Sequence, residues 1–312
     1  MKIDFWGVRG SIPTPLTPEQ IRLKIQAVIQ RITAKDLATQ DSRQAFLDNL
    51  PNWLNGTVGG NTSCVTVTNK NNTVFILDAG SGIRLLGKEL AKKGEKVFHI
   101  FLSHFHWDHI QGLPFFDPFF NPNSEIHFYS PKTNLKEYLE QQFESPFFPV
   151  SMKNMNQTNM HFHILKENQV LNIDGTNITL KKMLHPGDSF SYSFEEDGKK
   201  FIYATDVELK SIEFNNTENV NFFNNADVLV FDTQYTAPEA LEKENWGHSS
   251  YSHAIDFAVL CHIKHLVFFH HEPMYDDKKL YSILHNARLY AEYANSNKII
   301  INLAKEGKTI CL

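Results

Sequence analysis

The sequence predicts an α/β protein, a four-layer αββα sandwich forming one domain over residues 1–312, with a helical insertion at 14–58. Three observations carry this reading. Short apolar or alternating runs, the pattern of β-strands, recur on both sides of a histidine-rich loop that begins at His104. Stretches with apolar residues at helical spacing lie between them, which suits helices covering the outer faces of two sheets. No repeat with a period of about 20 to 50 residues is evident, so a solenoid or propeller is not expected.

Taken in order, Lys2 to Val8 reads as a strand, broken by Gly7, Gly10 and Pro13. Thr17 then caps a helix with Pro18 at its first position, and Ile21, Ile25, Val28, Ile29 and Ile32 fall on one face. A weaker helical stretch runs from Ser42 to Leu50. This insertion, at the rim of whatever cleft the fold makes, suits a lid, a homodimer contact or simple packing on the body. Ser63–Thr68 and Thr73–Asp78 read as a hairpin around Asn69–Asn72, and a helix from Ile83 to Lys93 stops at Gly94.

The apolar run Val97–Leu102 is a buried strand that delivers Ser103-His104-Phe105-His106-Trp107-Asp108-His109. Side chains alternate along an extended chain, so His104 and His106 can share one cation while Asp108 and His109, past the strand end, face another. Three imidazoles and a carboxylate so close together are costly to bury without a partner, and a metal pair satisfies them. Phe115, Phe116, Phe119 and Phe120 follow as a dense aromatic patch, suited to stacking a nucleobase or to core packing, and Phe147-Phe148 repeats that ambiguity. His161-Phe162-His163 is a second His-x-His, but no Asp-His follows it. It reads as two histidines on one strand face and not as a ligand pair.

Farther along, Thr176–Met183 is a strand ending at His185-Pro186-Gly187. Ser189–Phe194 and Lys199–Ala204 form a hairpin around Asp197-Gly198 that ends in Asp206. The strand Ala226–Phe231 delivers Asp232-Thr233-Gln234-Tyr235, and a helix is expected from Gly247-His248 to about Lys264. His265–Phe269 is a buried strand ending in His270-His271, and alternation lets one of that pair face the metals. A helix from Asp276 to about Ala294 precedes a final pair of strands, Lys298–Leu303 and Lys308–Leu312, around Glu306-Gly307.

Composition narrows the function. Of 312 residues 42% are hydrophobic, a globular proportion, and there is no run long and apolar enough to span a bilayer. The opening residues carry no signal-peptide pattern, so a cytoplasmic location is expected. Cys64, Cys261 and Cys311 lack the spacing of a zinc ribbon or disulfide framework. A formal charge of −5 argues against a surface that tracks large nucleic acids.

The His-x-His-x-Asp-His segment resembles the metal-binding motif of the metallo-β-lactamase-fold hydrolases, and Asp78-Ala79-Gly80-Ser81-Gly82, His185, Asp206 and His270 resemble its later landmarks in order. The resemblance implies His104, His106 and His185 on one divalent cation, Asp108, His109 and His270 on a second, and Asp206 bridging, with Asp78 orienting the loop. It selects His270 over His271 through the His-x-x-Pro pattern. A nitrogen and oxygen donor set suits zinc and also admits manganese or iron. Two cations about 3.5–4 Å apart can activate a shared water and hold the substrate's oxygens.

Asp232 and His248 resemble the acid–histidine pair of the phosphodiesterase branch, where an imidazole protonates the departing alkoxide. The catalytic set so implied is Asp108, Asp232 and His248. Arg9, Ser11 and Phe116 are the expected substrate contacts, the first two from the loop after the first strand. The chain departs from the tRNA-processing pattern, reading Asp-Thr-Gln-Tyr in place of a Glu-led tetrapeptide and having no basic Gly/Pro-rich arm. The expectation is therefore a dinuclear phosphodiesterase acting on a small diester, a cyclic nucleotide above all. The alternatives are an RNA-processing nuclease, a lactone or ester hydrolase, and a metal-bearing sensor or binding module without turnover.

Overall fold

Two seven-stranded sheets pack face to face. The structure, a computed structural model, describes residues 1–154, 159–210, 214, 216–294 and 299–312. The first sheet contains β1 (Lys2–Gly7), β2 (Cys64–Thr68), β3 (Val74–Leu77), β4 (Val97–Phe101), β5 (Glu125–Ser130), β6 (Met160–Ile164) and β14 (Thr309–Cys311), in the order β14-β1-β2-β3-β4-β5-β6. The second contains β7 (Leu171–Ile173), β8 (Thr176–Met183), β9 (Ser189–Glu196), β10 (Lys199–Ala204), β11 (Val228–Asp232), β12 (His265–Phe269) and β13 (Ile300–Leu303), in the order β13-β12-β11-β10-β9-β8-β7.

Three apolar layers hold this sandwich together. Between the sheets, Phe5, Phe75, Phe101, Tyr192, Phe194 and Tyr203 interdigitate without solvent exposure beyond 1%. Outside the first sheet, a helix at Ile83–Lys92 buries Ile83, Leu86 and Leu90 at i, i+3 and i+7. Outside the second, helices Tyr251–Leu260 and Asp277–Tyr293 bury Ala254, Phe257, Leu280, Leu284 and Ala287. Together the layers make the αββα sandwich. Strands β3 to β6 run parallel to one another, as do β10 to β13, so their C-terminal loops gather at one end of each sheet.

The insertion forms α1 (Pro18–Ile29), α2 (Ala34–Leu37) and α3 (Gln40–Asp48). Thr17 and Gln20 complete a capping box at the start of α1. Among the described residues its apolar face is only partly covered: Ile21, Ile25 and Ile29 are 46%, 55% and 64% exposed.

Other expectations are corrected. The final two strands do not pair with each other, because the turn at Glu306-Gly307 carries the chain from the edge of one sheet to the edge of the other. There Glu306 N–H donates to Val58 O and Gly307 N–H to Phe5 O. Lys298, the expected start of the first of them, lies outside the described residues. The helix expected from Gly247 begins at Tyr251, where Ser250 accepts from His253 N–H as its cap. That leaves 247–250 as a loop free to carry His248.

Candidate metal centre and cleft

The loop after β4 is shaped by one buried carboxylate. Asp78 accepts from Ser103 N–H at 2.7 Å, Ser103 Oγ at 2.8 Å, Tyr203 Oη at 2.8 Å and His109 Nδ1 at 2.7 Å. It adopts a left-handed backbone, φ 58°, that turns the chain out of β3. The loop then closes as a short helix at Trp107–Ile110, which sets His106 at its mouth and buries Asp108 and His109.

The structure brings together every metal ligand expected from the sequence. Donor atoms of His104, His106, His185 and Asp206 lie within 4.8 Å of one another, as do those of Asp108, His109 and His270. Asp206 faces both groups. Its Oδ2 lies 3.5 Å from His104 Nε2 and 3.6 Å from His185 Nε2, and its Oδ1 lies 3.1 Å from His109 Nε2 and 3.2 Å from His270 Nε2. Asp206 and His270 both sit at strand ends with φ 53° and 58°, and Gly10 leaves room for the His270 ring, which a Cβ there would meet at 2.5 Å.

The hydrogen bonds assign the ring protons. His109 Nδ1–H donates to Asp78, His185 Nδ1–H to Gly247 O at 2.8 Å, and His270 Nδ1–H to Gln234 Oε1 at 3.1 Å. Each therefore turns an Nε2 lone pair inward, toward carboxylate oxygens that are themselves only acceptors. His104 Nε2 and His109 Nε2 are buried without a hydrogen-bond partner among the described residues. An Nε2 that faces only acceptors must either carry a proton or meet a cation, and several of them converge here on shared carboxylates, so the donor set fits divalent metal ions in two adjacent positions. Burial opposes charge on His109, but Asp206, Asp108 and Asp78 outweigh it and raise its pKa well above the ordinary value. The same balance raises His270 to about 9. Asp108 and Asp206 are held well below the carboxylate range by the imidazoles around them, against the cost of burial. Without an ion, protons on these imidazoles balance the carboxylates, and a divalent cation would take the place of those protons.

Beside the centre, His248 Nδ1 is 2.7 Å from Asp232 Oδ2, and the His248 ring stacks on His270 at 4.9 Å. Asp232 Oδ1 accepts from Gln234 N–H and Ser249 N–H at 3.1 and 3.4 Å, which fixes the carboxylate. The open cleft of about 410 Å³ is lined by Ser11, Phe105, His106, Trp107, Asp108, Asp206, His248 and His270.

Two expected substrate contacts fall elsewhere. Arg9 is 2% exposed, and its guanidinium donates to the carbonyls of Gly59, Glu272 and Tyr275, tying three loops together behind the site. Phe116 is fully buried against Phe98 and Phe119 under the Ile83–Lys92 helix. Its place in the cleft is taken by Trp107, 84% exposed. Ser11 does reach the site, donating its N–H to Asp108 Oδ2 at 2.7 Å. His271 Nε2–H points away, to Ala304 O at 2.9 Å.

Sequence reasoning missed Gln234, which orients His270, and Glu208, which accepts from Asn245 N–H and Gly247 N–H and so steadies the carbonyl that holds His185. Gln234 stood two residues past Asp232 at the same strand end, the one signal that could have found it. Glu208 had none.

A centre of this composition, at the joined ends of two sheets in an αββα sandwich, defines a metal-dependent hydrolase. Residues 73–271 match the beta-lactamase superfamily domain, and the chain belongs to that superfamily, on the metallo-β-lactamase side of it. Ribonuclease Z of Picrophilus torridus is 24% identical over 255 residues, 67% of this chain and 80% of the relative. The metallo-β-lactamase fold protein YhfI from Bacillus subtilis superposes over 99% of this chain and 98% of its own, with a TM-score of 0.65 and 15% identity. The short form of human tRNase Z covers 100% of this chain and 99% of its own at a TM-score of 0.59 and 18% identity. Among the described residues, no helix is long and apolar enough to cross a membrane.

Proposed function

We propose that the protein hydrolyses a phosphodiester bond in a small substrate, with a cyclic nucleotide the foremost candidate. The observation that carries this reading is the Asp232–His248 pair, 2.7 Å apart and stacked beside the metal ligands. When bound, two divalent cations supply Lewis acidity toward the phosphoryl oxygens and a water-derived nucleophile at neutral pH. Everything else falls to the chain. His104, His106 and His185 would hold one cation, Asp108, His109 and His270 the other, and Asp206 both. Asp232 accepts a hydrogen bond from His248 Nδ1–H and so orients the ring, leaving Nε2–H to give its proton to the departing oxygen. An alkoxide is a poor leaving group, and this is the step for which a carboxylate-held imidazole is suited. Asp108, fixed by Ser11 N–H, orients the attacking face.

The cleft supports a compact substrate. No lysine or arginine is among the described residues that line it, so a single phosphate held by the cations fits better than a polyanion. Exposed Trp107 offers a ring on which a base can stack. A second reading, cleavage of an RNA precursor, is favoured by the ribonuclease Z relative. One experiment separates them: the zinc-, manganese- and iron-loaded protein is offered bis(p-nitrophenyl) phosphate, 2′,3′- and 3′,5′-cyclic nucleotides and a tRNA precursor over a salt series. The proposal expects turnover of diesters with a shallow salt dependence. Protein that holds its metals yet cleaves only the RNA, with a steep loss on adding salt, would refute it.

A further inference from the structure

At the far end of the first sheet, away from the metal loop, three parallel strands place a second set of metal donors in register. His99, His127 and His161 pair across β4, β5 and β6, and their rings stack at 5.1 and 4.6 Å. Two residues before His127, on the same face of β5, stands Glu125. Its Oε1 lies 3.0 Å from His127 Nε2 and 3.4 Å from His161 Nε2. The three donor atoms all lie within 4.8 Å of one another.

We propose that Glu125, His127 and His161 bind a divalent late-transition-metal cation, zinc above all, at a site separate from the catalytic centre. Donors about 2.0–2.1 Å from a tetrahedral zinc stand roughly 3.3 Å apart, close to the spacing found here. The ring that bridges the set is oriented as a ligand ring should be: His127 Nδ1 lies 3.0 Å from His163 Nε2, so its proton can be given away there while Nε2 faces Glu125 and His161. Glu125 and His161 are each about half exposed, 48% and 45%, which leaves a coordination position open to water and a route for the ion. An ion here would clasp β6, the edge strand, to β5.

The test is a metal count on the full chain. Wild type, His161→Ala, His161→Gln and Glu125→Gln are dialysed to equilibrium against low-micromolar free zinc. Bound metal is measured by atomic emission, and turnover of bis(p-nitrophenyl) phosphate is measured beside it. The expected result is one zinc fewer per chain in each variant, with turnover unchanged and a larger zinc-dependent rise in the thermal midpoint in wild type than in any variant. Equal zinc content in wild type and variants overturns the proposal. So does a variant that loses zinc and turnover together, because the ion then belongs to the catalytic centre. A wild type without turnover counts against the phosphodiesterase reading alone and leaves the count intact.

Discussion

Three imidazoles of the centre have their outward nitrogen fixed by the protein, so that the other faces the site. His109, His185 and His270 give their Nδ1 protons to Asp78, Gly247 O and Gln234, whereas His271 spends its Nε2 proton on Ala304 O and is lost to the site. His248 also has its Nδ1 fixed, by Asp232, but its ring lies on the cleft side of the stack with His270. The role proposed for it makes a sharp demand on leaving groups. His248→Ala should retain its metal content and lose about 10²- to 10⁴-fold in kcat on a cyclic nucleotide, whose alkoxide needs a proton. On bis(p-nitrophenyl) phosphate, whose phenolate leaves unaided, the loss should be small. Steady-state kinetics on the two substrates check this, and equal losses on both would assign His248 a structural part instead.

At the level of elements, legibility followed the locality of the signal. The His104–His109 loop, the strands that deliver it and Asp206, and the cap of α1 were readable because periodicity and short motifs fix them within a few residues. What stayed hidden depends on partners distant in sequence. Phe116 reads as a stacking surface until the Ile83–Lys92 helix covers it, Arg9 reads as a substrate contact until two loops close around its guanidinium, and β13 and β14 read as a pair until the sheets are assembled. The apolar stripe of α1 announced a helix but not what covers it, and Ile21, Ile25 and Ile29 stay exposed. The loop before Tyr251 is another element set from afar. Gly247 has φ 90°, and a Cβ on it would stand 2.1 Å from His185 Nδ1 and 2.5 Å from the Pro186 ring. Gly247→Ala should therefore displace His185 and weaken metal binding by about 10- to 100-fold, the range seen when a ligand's outer partner is lost. Competition with a chromophoric chelator measures this, and an unchanged zinc affinity would show that the loop carbonyl is dispensable.

Across the whole molecule, acid sensitivity should exceed what the metal centre alone confers, because imidazoles are also buried at places that bind no metal. His265, at the start of β12, is pushed down to about 4 by burial and by Lys308. Asn302 Nδ2 donates to its Nε2 at 2.9 Å, a bond that only the unprotonated nitrogen can accept. His271, fully buried, is pushed down to about 3 by burial and Arg9. Both rings bind a proton more readily in the unfolded chain, where the ordinary value is 6.5, than in the fold. The unfolded state thus takes up protons first as pH falls, and the stability present above about pH 6.5 drains away toward pH 4. To separate this from ligand protonation, thermal midpoints are compared in chelator from pH 7.5 to 4.5 for wild type and His265→Gln, whose amide oxygen can still accept from Asn302. The variant's midpoint should fall less steeply, by less than one proton's worth of slope. Parallel curves would mean that His265 titrates alike in both states and that the acid sensitivity lies with His271 and the centre.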